Sequence, residues 1–342
     1  MKIMSIVGAR PNFVKMAPLI REIIKSGEEH ILVHTGQHYD RNMSEIFLEE
    51  LDLPAMDHYL HIGSGPHGQQ TGRMLEGLER VMMDDRPDIV IVPGDTNTTI
   101  AGALAAVKLG IKTAHLEAGL RSFDRSMPEE INRVAVDHIS DLLFVPTEEG
   151  MQNLRNEGLD GYLVGDTMVE ACLQNAEIAA QKYSVPENYY LATIHRPGNT
   201  DDKERLEAIF SAFRRLGSVI LPLHPRTAKM LEEFSISTDG IDIREPMGYL
   251  EFLAYLKGAK AVITDSGGVQ KEAMLLHVPA VTVRPNTEWT ETIELGWNVL
   301  SEPEEIIDRL EQILRMERGE TDGVYGDGRA SQRIVEILRR KE

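Results

Sequence analysis

Asp95, Glu117 and Glu129 stand where short apolar runs end or a helix opens. Clustered carboxylates raise one another's pKa, which suits general acid–base work. Asp95 follows the run Ile89–Val92 and Glu117 follows Thr113–Leu116, so consecutive strands would set the two acids close together at a sheet edge. Glu129 and Glu130 follow Pro128 and also read as acids in a helix's first turn, a role that suits Glu130 better than Glu129. Taken singly, each of these acids is more often structural than catalytic. Arg10 and Lys15 bracket the start of another helix. A cation there opposes the helix dipole, so an anionic ligand explains the pair as well as a solvated face does.

The stretch Asp265-Ser266-Gly267-Gly268-Val269-Gln270-Lys271-Glu272-Ala273 is the strongest phosphate signal. A serine and two glycines at a strand-to-helix turn let backbone N–H groups approach an anion. Glu272, about one to two turns into that helix, is placed to reach ribose hydroxyls. The plainer alternative is a tight turn with Asp265 or Ser266 as N-cap. His195-Arg196 and His224-Pro225-Arg226 each add an imidazole and a guanidinium, able to donate to a diphosphate or pass a proton near neutral pH. A metal site is disfavoured, since Cys172 stands apart, and His58 and His61 read as surface. Gly63-Ser64-Gly65-Pro66-His67-Gly68 matches a dinucleotide fingerprint in letters alone. Its preceding strand is poor and Pro66 intrudes, so a mobile glycine-rich loop is the better reading.

The elements that position these residues follow from the apolar pattern. Runs at Ile3–Val7, Ile31–His34, Ile89–Val92, Thr113–Leu116 and Leu142–Val145 alternate with amphipathic stretches. The pattern repeats at Tyr190–Ile194, Val219–Leu223, Ile241–Arg244, Ala261–Thr264 and Ala280–Val283, after a switch near Gly165–Val169. Near-continuous apolar strands between helices predict parallel sheets covered on both faces. A first helix should open at Pro11, carry Leu19, Ile20, Ile23 and Ile24 on one face, and stop at Gly27. Ligands of open parallel sheets bind beyond the carboxyl ends of the strands, where the residues above fall.

The chain has 342 residues, 42% of them hydrophobic and 27% charged, enough for two packed domains. A net charge of −19 disfavours nucleic acid and anionic lipid as partners, and requires a local basic cluster for any anionic ligand. One cysteine, no signal-like N-terminal run and no long apolar span predict a soluble, cytoplasmic protein.

Taken in order, these strings resemble the non-hydrolysing UDP-N-acetylglucosamine 2-epimerases. The similar segments are Gly8-Ala9-Arg10-Pro11 with Lys15, Thr35-Gly36-Gln37-His38, Gly94-Asp95-Thr96, Glu117 to Arg121, Pro128 to Arg133, His195-Arg196, Asp265 to Ala273, and Tyr325 to Gly328. The resemblance implies an α/β, GT-B-like fold of two Rossmann-like, doubly wound parallel-sheet domains with the active-site cleft between them. Residues 1–166, joined by a C-terminal helix at 328–342, would form one domain and 167–327 the UDP-binding other. It also implies a homodimer that uses no cofactor and no metal. Phe252 would lie near the uracil, Glu272 on the ribose, and Ser266, Gly267 and Gly268 at the diphosphate, with Arg10, Lys15 and Arg196 as further substrate contacts. Asp95, Glu117, Glu129 and His195 match the family's catalytic positions.

The implied chemistry is elimination and re-addition. A base takes the C2 proton as the C1–O bond to UDP breaks, and UDP returns while C2 is protonated on the other face. Asn12 stands where many members have Glu, Lys271 replaces a common Glu, and Trp289 replaces an arginine. The Gln-Lys-Glu and Glu-Trp forms resemble a branch acting on UDP-2,3-diacetamido uronic acids. A second UDP-sugar, an activator of bacterial members, would draw on Gln37, His38, Gln69, Gln70 and Arg73. The rival readings are a GT-B glycosyltransferase, a hydrolysing relative and a non-catalytic UDP-sugar sensor.

Overall fold

The computed structural model describes residues 1–37, 48 and 50–340, with the side chains of Arg10 and Pro11 outside the described set. The chain divides into two units: residues 1–171 with 322–342, and residues 172–321.

The first unit carries a parallel sheet. Its strands are β1 (Lys2–Val7), β2 (Glu29–His34), β3 (His58–Tyr59), β4 (Ile89–Pro93), β5 (Lys112–Leu116), β6 (Leu142–Val145) and β7 (Tyr162–Leu163). They lie in the order β3-β2-β1-β4-β5-β6-β7, so the winding reverses between β1 and β4. Its helices are α1 (Arg10–Lys25), α2 (His67–Asp85), α3 (Asn97–Lys108), α4 (Pro128–Ile139) and α5 (Glu148–Asn156), followed by α6 (Thr167–Lys182), within which the division between units falls. Met4, Ile6, Val33, Val90 and Val92 pack against Met74, Leu78 and the alanines of α3, which explains why these strands read as continuous apolar runs.

The second unit carries β8 (Tyr190–Thr193), β9 (Val219–Pro222), β10 (Asp242–Arg244), β11 (Val262–Thr264), β12 (Ala280–Thr282) and β13 (Asn298–Leu300). Their order is β10-β9-β8-β11-β12-β13, all parallel, with the reversal between β8 and β11. Its helices are α7 (Pro197–Thr200), α8 (Lys203–Leu216), α9 (Pro225–Phe234), α10 (Tyr249–Gly258), α11 (Gly267–Leu275), α12 (Thr290–Glu294) and α13 (Ile306–Arg315). The last helix, α14 (Ala330–Arg340), belongs to the first unit, where Arg339 pairs with Glu28 at 2.8 Å.

All ten apolar runs are strands. The missed ones are β3 and β7 at the edges of the first sheet and β13 at the edge of the second. They are two or three residues long, too short for a period to register. One local reading is corrected: His58 is half-buried in β3 and pairs with Asp85 at 2.6 Å, rather than standing as surface. In the glycine-rich loop, Gly63 N–H donates to Gly36 O at 2.8 Å, and Gln70 Nε2 donates to Gly63 O at 2.8 Å.

Helix α1 shows how the first turn is built. Asn12 Oδ1 accepts from the N–H groups of Gly8 and Ala9, both at 3.1 Å, so Asn12 closes the strand-to-helix turn. A Cβ on Gly8 would collide with Thr98 Oγ1, so only glycine lets α3 come this close. The helix ends at Ser26, with Gly27 at φ +80°, in the left-handed region glycine favours.

Candidate functional site

In the first unit the carboxyl ends of β1, β4 and β5 bring Lys15, Asp95 and Glu117 together. Lys15 Nζ pairs with Glu117, and Asp95 acts on the same ammonium. Burial alone would depress the lysine, but Glu117 and Asp95 beside it hold it above its ordinary value. The anion that Lys15 called for in the sequence is thus present inside this unit, as Glu117. Gly94 makes the room, since a Cβ there would lie 3.1 Å from Lys15 Nζ and 3.4 Å from Glu117 Oε2. Glu117 itself has φ +73°, a left-handed conformation a glutamate adopts only at a cost of about 1–3 kcal/mol. Strain of that kind concentrates at working sites.

Helix α4 holds the other acids. Arg133, only 4% exposed, pairs with Asp95, and Asn132 Nδ2 donates to Asp95 O at 2.9 Å. Glu130 accepts from Ser122 N–H at 2.9 Å and Phe123 N–H at 3.0 Å, so its role is to fix the preceding loop, which goes beyond a helix-dipole contact. Glu129 is half-buried and has no hydrogen bond or ion pair among the described residues. Asp95 and Glu117 each face a cation, Arg133 and Lys15 respectively.

Behind these turns lies a buried pair that the sequence did not reveal. His115 Nδ1 meets Asp137 Oδ1 at 2.6 Å, and its Nε2 meets Gly94 O at 2.7 Å. A carbonyl only accepts, so Nε2 donates. Asp137 also accepts from Gly119 N–H at 3.1 Å and Arg121 Nη1 at 2.7 Å. One imidazole therefore ties the Gly94-Asp95 turn to the Glu117–Arg121 turn. His115→Gln should lower kcat about tenfold, as misplacement at a distance does, with KM little changed. Steady-state kinetics on a variant of native circular dichroism checks this.

In the second unit the reversal between β8 and β11 gathers His195, Arg196 and Asp265. The Asp265 carboxylate is fully buried and accepts from His195 N–H at 3.1 Å, Arg196 N–H at 2.9 Å and Asn199 Nδ2 at 3.2 Å. It therefore clamps the β8–α7 turn and does not cap α11. His195 Nδ1 lies 3.4 Å from Asp265 Oδ1. The ring of His224 sits 5.4 Å away, and its Nδ1 accepts from Arg226 N–H at 3.1 Å. Arg196's guanidinium makes no hydrogen bond or ion pair among the described residues.

Ser266 is the N-cap residue of α11 but makes no side-chain cap bond. Gly267 and Gly268 follow with the unpaired N–H groups that every helix start presents. Glu272 is buried one turn further on. Phe252 is also buried, packed with Tyr189, Met247 and Val269. Burial, with Glu272 nearby, holds the Cys172 thiol well above its ordinary value, so it is no thiolate nucleophile.

Two departures from the family pattern touch each other: Lys271, 1% exposed, places Nζ 3.6 Å over the Trp289 ring. The Arg10 side chain and His38 lie outside the described residues. Of the remaining activator candidates, Gln37 and Gln70 spend their amides on Thr98, Gly63 and Asn97, while Gln69 and Arg73 are exposed.

The profile of the UDP-N-acetylglucosamine 2-epimerase family matches residues 21–339. A crystal structure of the Methanocaldococcus jannaschii UDP-GlcNAc 2-epimerase in complex with UDP-GlcNAc and UDP is 47% identical, with TM-score 0.94 over 99% of this chain and 100% of that one. The UDP-2,3-diacetamido-2,3-dideoxy-D-glucuronate 2-epimerase of Pseudomonas aeruginosa is 45% identical over 99% of both chains. A glycosyltransferase of kitacinnamycin, 13% identical at TM-score 0.62, shares the fold alone. The fold is GT-B-like, and the chain belongs to the UDP-N-acetylglucosamine 2-epimerase family.

Proposed function

We propose that the chain inverts C2 of a UDP-N-acetylhexosamine, interconverting UDP-GlcNAc and UDP-ManNAc as a glycan precursor step. The observation that carries this is the trio of Lys15, Asp95 and Glu117 gathered in one unit, each acid paired with a cation. A carboxylate ready to take a proton is what removal of the C2 hydrogen needs. Inversion requires proton transfer on both ring faces, so more than one of Asp95, Glu117 and Glu129 takes part.

In the second unit, the α11 start holds the diphosphate, with His195, Arg196, Ser266, Gly267 and Gly268 donating to it. Glu272 takes the ribose and Phe252 the uracil. The scheme requires no hydride carrier and no metal. A homodimer working in the cytoplasm completes the reading. Among the described residues, no helix is long and apolar enough to cross a membrane.

A second reading, a UDP-2,3-diacetamido-glucuronate as substrate, is favoured by the buried Lys271–Trp289 couple and by the Pseudomonas relative. The test is NMR of the protein with each UDP-sugar alone. A manno-configured product from UDP-GlcNAc without acceptor supports the first reading, and turnover of the glucuronate only supports the second. Free UDP accumulating with every turnover would instead indicate a hydrolase, and no turnover of either would leave a sensor.

A further inference from the structure

The start of α11 is already covered by an acid. A Cβ on Gly267 would collide with Glu288 Oε1 and lie 3.4 Å from Trp289 Nε1. The carboxylate of Glu288 therefore rests on the first residue of the helix, where backbone N–H groups and the helix dipole attract an anion. Its other oxygen, Oε2, accepts from Arg284 Nη2 at 2.9 Å. Both side chains are withdrawn from water, 6% and 10% exposed.

Arg284 follows β12, the neighbour of β11 in the sheet, so it stands beside the Asp265–Gly268 turn. Its Nη1 is buried and has no acceptor among the described residues. A buried guanidinium nitrogen left without an acceptor bears its full desolvation penalty. Glu288 can offer Arg284 one oxygen while the other lies on Gly267. A diphosphate, with more oxygens and more charge, can meet Nη1, Nη2 and the helix start together.

We propose that Arg284 is a diphosphate-binding residue, and that Glu288 is an internal anion holding its place until the nucleotide displaces it. This rests on reading the Gly267–Gly268 turn as the diphosphate site. Glu288 then competes with the ligand: it keeps Arg284 positioned in the empty protein and lowers the apparent affinity for UDP.

The test is calorimetric titration of the full-length protein with UDP and, as a control without phosphate, uridine. Glu288→Gln keeps a hydrogen-bond acceptor for Arg284 but removes the competing charge, so UDP should bind about tenfold more tightly. Arg284→Met should bind UDP at least about tenfold more weakly, with uridine binding unchanged. Arg284→Lys, which keeps the charge and loses the fork, should fall between. Unchanged or weaker UDP binding by Glu288→Gln overturns the displacement, even if Arg284→Met fails to fold. Wild-type UDP affinity in Arg284→Met overturns the arginine's role. If the wild-type protein itself bound UDP no better than uridine, the reading of the turn would fail first, which is a separate result.

Discussion

Asp95→Asn, Glu117→Gln and Glu129→Gln should each cut turnover by at least about 100-fold, the usual scale for a proton-transfer group. Glu117→Gln is the most telling of the three. It removes the charge that meets Lys15, while Asp95 still acts on the ammonium. It also keeps the side-chain volume and the left-handed backbone at position 117. A loss in kcat with folding retained would therefore report the carboxylate itself and not the shape of the turn. Asp95→Asn tests the same chemistry on the acid that Arg133 holds. Near-normal turnover in all three variants would remove the carboxylates from the mechanism.

Asp137→Ala should unfold the first unit more readily than any active-site variant. Asp137 is 1% exposed and faces His115 and Arg121, so deleting it strands a buried guanidinium and a buried ring N–H. Breaking a buried pair from one side typically costs about 3–5 kcal/mol, which should lower Tm by on the order of 10 °C. The pH dependence has a definite sign. Burial alone would push the Asp137 carboxyl up, but His115 and Arg121 beside it hold it below its ordinary value of 3.8. A depressed folded-state pKa stabilises the fold above the unfolded value, and that stability is lost as pH falls through the folded one. The gap between wild type and Asp137→Ala should therefore be full at neutral pH and shrink below about pH 4. Thermal melts at pH 7 and pH 3.5 check it, and a gap independent of pH would place the effect in packing.

The sheet architecture was readable because parallel strands covered on both faces must be apolar throughout, as Ile89–Val92 and Leu142–Val145 are. The candidate acids were readable for a related reason, since reactive side chains of such sheets follow the strand ends. Their partners were not. Lys15 reaches Glu117 across 102 positions and Arg133 reaches Asp95 across 38, and no local period encodes such pairs. The alternative of Asp265 as a cap rested on its neighbours Ser266 and two glycines. Its carboxylate turned instead to the β8–α7 turn about 70 residues earlier, which only the sheet order explains. Lys271 and Trp289 appeared as separate departures until the fold stacked one on the other. Short edge strands such as His58–Tyr59 left no signal because a two-residue run has no period.

Proton exchange at C2 is the step on which the proposed chemistry stands. The decisive measurement is NMR of UDP-GlcNAc incubated with the protein alone in deuterium oxide. Deuterium appearing at C2 in step with formation of the manno epimer is the predicted result. Epimer formed with hydrogen retained at C2 would contradict elimination and re-addition.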